Sequence, residues 1–184
     1  MVLLANIPLF GPTPAQVYGF AAAVAMTLMA TDGAANLTAG SIANPSRVAG
    51  MHFFNPVHKM KLVEIVRALE SAPATLEAIE DVSRRMGKET VLVRESPGFI
   101  TTRVNASIGN EAFYMLMEGV ASARDIDKAL KLGLNHPMGP FELVDLVGLD
   151  TRLSILEYLH RSMGEKYRPC PLLAQYVKAG RLGK

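Results

Sequence analysis

The stretch Met51-His52-Phe53-Phe54-Asn55-Pro56-Val57, followed by Lys61-Leu62-Val63-Glu64-Ile65-Val66, constrains the fold of this chain more than any other. Two short apolar runs flank an Asn-Pro turn signal, which predicts two strands folded back on each other. Such a pair can bring the imidazole of His52 against the carboxylate of Glu64. A histidine titrates near neutral pH, and a carboxylate at one ring nitrogen fixes the tautomer while the other nitrogen takes a proton. The arrangement suits proton abstraction from an alcohol. The plainer alternative is a core histidine between phenylalanines, satisfied by one hydrogen bond. The residues of this segment leave both open.

The rest of the chain changes character at Ser96-Pro97-Gly98. Before it, Leu76, Ile79, Val82 and Met86 recur at helical spacing from Thr75 to Gly87, and Thr90-Val91-Leu92-Val93 has the β-branched content of a short strand. After it the period is helical throughout, so we take Ser96–Gly98 as a linker. Ile100, Val104, Ile108, Met115 and Leu116 predict one long apolar stripe ending near Gly119. Ser122-Ala-Arg-Asp125 has the form of a capping box for a helix closed by Gly133. Two further helices are expected near Thr151–Met163 and Pro171–Ala179. His136 and the Gly139-Pro140 pair read as turn residues, with Gly133 and Asp145 as scaffold around them.

Charge is divided unevenly. From Met1 to Ser46 the single charged side chain is Asp32, whereas the other 138 residues hold all 19 Lys and Arg and 16 of the 17 acids. The apolar run from Val17 to Ala30 is shorter than the roughly 20 residues a bilayer span requires. It lacks the basic flank of a signal peptide. A helix and strand surviving from a shortened domain, or sequence unrelated to that domain, are the two readings left for this arm. With 49% apolar residues the chain can build a core, and a net charge of +2 gives no basic face for nucleic acid. One cysteine, Cys170, excludes an internal disulfide and belongs to no zinc-binding pattern, which favours a reducing, cytoplasmic setting.

His-Phe-Phe-Asn-Pro-Val, Met60-Lys61-Leu62-Val63-Glu64, Ser96-Pro97-Gly98-Phe99-Ile100 and Asn135-His136-Pro137-Met138-Gly139-Pro140-Phe141-Glu142 follow one another in order. Together they closely resemble the NAD-dependent 3-hydroxyacyl-CoA dehydrogenases, especially the bacterial 3-hydroxybutyryl-CoA dehydrogenases. The likeness runs from about Arg47 to Lys184. It implies reversible oxidation of a 3-hydroxyacyl-CoA to the 3-oxoacyl-CoA, with NAD as cofactor. By the same resemblance His52 is the base that takes the 3-hydroxyl proton and Glu64 its partner. Asn55 lies near both cofactor and substrate, and Thr102 stands where the family often has a substrate-side asparagine. The resemblance further implies an acyl-CoA ligand and a homodimer formed by the C-terminal helices. Lys59, Lys61, Arg67 and Arg94 are either holders of coenzyme A phosphates or ordinary solvated positions.

The departures are as specific as the matches. The family opens with a Gly-x-Gly-x-x-Gly turn that lets backbone amides approach a pyrophosphate, and this sequence contains no such turn. The stretch Ala30–Ala35, aligned with a family strand end, carries Asp32 and Ala34 in place of an asparagine and a serine. The basic residue that follows Arg181-Leu182-Gly183-Lys184 in the family lies close to the cofactor there. The expected fold is therefore α+β: residues 1–95 as a truncated remnant of a doubly wound α/β nucleotide-binding domain, of which 1–46 is an atypical apolar arm, then 96–184 as an all-α dimerisation and substrate domain. A non-catalytic acyl-CoA-binding or dimerisation fragment is the alternative to a dehydrogenase.

Overall fold

The computed structural model describes residues 2–5, by backbone only, together with 35, 39, 40 and 43–183. The apolar run 17–30 and positions 32 and 34 lie outside the described residues. The chain divides into two compact units, Met1–Phe99 and Ile100–Lys184.

The first unit is a four-stranded sheet in sequence order, β1 (Val2–Ala5), β2 (Val48–Phe53), β3 (Leu62–Arg67) and β4 (Glu89–Arg94). β1 and β3 run antiparallel to β2, while β4 lies parallel to β3. The strand pair expected around Asn55-Pro56 is thus present as β2–β3. Leu62-Val63-Glu64-Ile65-Val66 does not alternate because β3 is covered on both faces, as inner strands of mixed sheets are. Val48, Val66, Ala68, Val93 and Phe99 share one buried cluster with Ala35 and Ala39. Ala49, Met51, Val63 and Ile65 point the other way, against Ile79 and Leu76 of helix α1 (Pro73–Arg85). Proline at its first position begins α1 without sacrificing a needed donor. Gly87, at φ 72°, ends it, with Gly87 N–H donating to Arg84 O and Lys88 N–H to Ser83 O.

The second unit holds α2 (Thr101–Met117), α3 (Ala123–Gly133), α4 (Pro140–Val147), α5 (Leu149–Met163) and α6 (Pro171–Lys178). Its core gathers Ala106, Phe113, Val144, Leu156, Leu159, Tyr167, Cys170 and Leu173. Three sequence expectations change here. First, the buried face of α2 is Ala106, Gly109, Asn110, Ala112 and Phe113 rather than the stripe beginning Ile100–Val104, of which Ile100 and Val104 are half exposed. Small residues let neighbouring elements approach, and Asn110 clamps the chain before α6 by donating to Arg168 O and accepting from Cys170 N–H. Second, α3 ends at Gly133 as expected, but the left-handed conformation after it is taken by Asn135, at φ 54°, and not by the glycine. Third, the Gly139-Pro140 pair opens a helix. Asp127 receives the N–H groups of Phe141 and Glu142, and the Glu142 carboxylate accepts from Gly139 N–H. The capping interaction at Ser122, by contrast, is present as the sequence suggests, with Asp125 N–H donating to Ser122 Oγ at 3.1 Å.

Candidate active site

His52 and Glu64 are direct register partners on β2 and β3. Their side chains leave the same face of the sheet, because directly opposed residues in an antiparallel pair do so. The imidazole Nδ1 lies 2.6 Å from Glu64 Oε2, a short contact of the charge-assisted kind. The Glu64 side chain is fully enclosed, whereas His52 keeps 15% of its side-chain surface. A carboxylate can only accept, so Nδ1 carries the shared hydrogen and Nε2 is the nitrogen left with a lone pair. The pair can therefore accept a proton at Nε2 while Glu64 steadies the imidazolium that results.

Two aromatic rings hold the imidazole in place. Phe54 meets it edge-on at a centroid distance of 4.8 Å, and Phe99 lies tilted at 5.4 Å. Phe99 follows the Ser96-Pro97-Gly98 linker and belongs to the word Ser96-Pro97-Gly98-Phe99-Ile100, one of the four that carry the family resemblance. Its φ of 44° is rare for a bulky residue, and Gly98 before it is also left-handed at φ 71°. Phe99 is nevertheless 5% exposed and part of the sheet's core. The turn thus carries an aromatic wall for the histidine. The sequence marks Phe99 as part of a family word but gives no sign that its ring packs on His52.

Asn55 lies two residues past the end of β2 and is exposed, at the start of the turn to β3. Thr102 belongs to the second unit, in the first turn of α2, and is half-buried. Lys61 and Arg67 flank opposite ends of β3, about 20 Å apart at a strand's rise per residue. The four basic residues singled out above therefore do not converge on one phosphate.

Among family models, one described as the C-terminal domain of 3-hydroxyacyl-CoA dehydrogenase matches residues 98–184. Another, described as the NAD binding domain of the same enzyme, matches residues 25–96 and so reaches back into the apolar arm. The chain belongs to the 3-hydroxyacyl-CoA dehydrogenase family. A probable 3-hydroxybutyryl-CoA dehydrogenase of Bacillus subtilis (strain 168) is 54% identical over 141 residues, 76% of this chain and 49% of that protein. The 3-hydroxybutyryl-CoA dehydrogenase of Bradyrhizobium diazoefficiens is 48% identical, over 76% of this chain and 48% of its own length. The crystal structure of (S)-3-hydroxybutyryl-CoA dehydrogenase from Ralstonia eutropha superposes with a TM-score of 0.78 at 44% identity, covering 82% of this chain and 53% of that one. The chain spans about half the length of the curated relatives it matches.

Membership in this dehydrogenase family raises the question of NAD. A dinucleotide's pyrophosphate needs a glycine turn leading into a helix N-terminus. This sequence has no Gly-x-Gly-x-x-Gly, and α1 is entered through Ala72 and Pro73. The described residues hold no glycine turn of the kind that cradles a dinucleotide's pyrophosphate. What they do present is the proton-handling pair. Among them there is also no cluster of metal-ligating side chains, and no helix is long and apolar enough to cross a membrane.

Proposed function

We propose that this chain carries the proton-transfer half of a 3-hydroxyacyl-CoA dehydrogenase site, acting on short acyl chains such as 3-hydroxybutyryl-CoA. The observation that carries the reading is the 2.6 Å contact of His52 Nδ1 with the enclosed Glu64. In the oxidative direction His52 Nε2 takes the proton of the 3-hydroxyl. In the reductive direction the same nitrogen returns it to the 3-oxo oxygen. Glu64 holds the tautomer in both, a second-partner role familiar from other histidine bases. NAD is the hydride acceptor that such a reaction requires, and the residues that would cradle its pyrophosphate are not among those described. Asn55, exposed beside the catalytic strand, is assigned to substrate and cofactor contact, and Thr102 to substrate.

The names of the relatives favour a dehydrogenase over a non-catalytic module. We assign residues 1–95 to the NAD-binding domain and 96–184 to the helical substrate and dimerisation domain. The helical unit leaves Val104, Leu132, Leu134 and Leu146 each more than half exposed. A second copy of this chain is the partner we assign to that unit, and the lone thiol of Cys170 suits a reducing, cytoplasmic setting.

The test is NADH consumption with acetoacetyl-CoA, followed by absorbance. Turnover that falls at least 100-fold in His52→Ala, with the circular dichroism spectrum unchanged, supports the reading; removal of a general base costs about that much or more. Turnover that survives the substitution contradicts the role given to His52.

A further inference from the structure

Arg67 and Arg94 end the two parallel strands β3 and β4, and they are register partners. Their side chains therefore leave the same face of the sheet side by side. Like charges opposed in this way destabilise a strand pair unless something negative lies between or near them. No ion pair or hydrogen bond to either guanidinium occurs among the described residues, although both are exposed enough to reach one. Both line a cavity of about 280 Å³ with Ala68, Leu69 and Glu95. Glu95, the one carboxylate among the described residues there, accepts from Ala35 N–H at 2.8 Å.

The position is distinct from the catalytic pair. Ala49, Arg67 and Arg94 form one row across the sheet, on the face that carries Met51, Val63 and Ile65. His52 and Glu64 lie on the other face and three residues back along β3, about 10 Å away at the strand's rise. The arginines also stand at the carboxyl ends of the two parallel strands, where open α/β sheets place their ligand crevices.

We propose that this cavity, at the carboxyl ends of β3 and β4, is a second site, for a phosphoryl anion, held by Arg67 and Arg94. Guanidinium forks match the oxygens of a phosphoryl group two at a time, and two forks on neighbouring strands can grip adjacent oxygens of one phosphate or of a pyrophosphate. The volume admits either and is too small for a whole nucleotide coenzyme. The proposal does not depend on the catalytic reading.

The experiment is calorimetric titration of the full chain with inorganic phosphate and with pyrophosphate, at constant ionic strength, for the parent, the double variant Arg67→Gln/Arg94→Gln and His52→Ala. The expected result is saturable binding in the parent and in His52→Ala, at least tenfold weaker in the double variant, whose circular dichroism spectrum matches the parent. A parent that shows no saturable heat, or a double variant that binds as tightly as the parent, overturns the site. Competition by coenzyme A that dephospho-coenzyme A and pantetheine do not reproduce would identify the thioester's 3′-phosphate as the source of the anion. Binding untouched by coenzyme A would identify a free phosphoryl anion.

Discussion

The His52–Glu64 contact was legible in the sequence as spacing alone: twelve residues, two apolar runs and a turn signal between them. Its quality was not, because the enclosure of Glu64 depends on β3 being covered on both faces, and nothing local to Val63-Glu64-Ile65 states that. Arg152 shows the same limit more sharply. It sits in a helix with ordinary periodicity, yet it is 2% exposed, its Nε has no hydrogen-bond partner and it has no ion pair among the described residues, and its guanidinium lies against the space where Gly109 has no side chain. Burial alone lowers its pKa from the ordinary arginine value to about 10. A buried charge without a counter-charge costs stability, so Arg152→Met should leave the fold equally or more stable at pH 7, by up to about 4 kcal/mol. The pH dependence has a definite sign. From about pH 10 up to the ordinary arginine value the unfolded chain still holds a proton that the folded chain has lost. Stability from this group therefore rises with pH in that window, and the rise is missing from the Met variant. Urea melts at pH 7 and at successive values above 10 measure both effects; a variant clearly less stable than the parent at pH 7 would mean that the charge is compensated.

Helices with strong apolar period and standard caps were readable as elements, as α1 and α3 illustrate. The failure was α4, whose eight residues were passed over as turn because Gly-Pro dominates the local signal. Its stability comes from a distant helix: Asp127 of α3 receives two of its first-turn N–H groups. That geometry requires glycine at 139, where an added Cβ would lie 2.3 Å from Asp127 Cγ. Gly139→Ala should therefore destabilise the helical unit by about 1–3 kcal/mol, the range for overpacking a filled site. Thermal melts followed by circular dichroism test it. An unchanged midpoint would show that Asp127 can swing aside without losing its hydrogen bonds. The α2 stripe failed for a related reason. Periodicity found apolar residues, but the core selected the small ones, and Ile100 and Val104 were left outward.

At the scale of the molecule, the change from a sheet to helices was visible at Ser96-Pro97-Gly98, and the fold class followed from the resemblance that those words carry. Which surfaces a partner covers was not visible, since an exposed leucine looks the same in sequence as a buried one. Sedimentation velocity should give a dimer with the helical unit's exposed Leu132, Leu134 and Leu146 available to the partner. A monomer at all concentrations would remove the second copy from the account. The claim on which the rest turns is that His52 is a base oriented by Glu64, and nitrogen-15 NMR of the labelled imidazole reads it without any cofactor. The expected result is a hydrogen on Nδ1, shared with Glu64, with the Nε2 resonance shifting when acetoacetyl-CoA is added. A ring protonated at Nε2, or one that does not respond to the thioester, would contradict it.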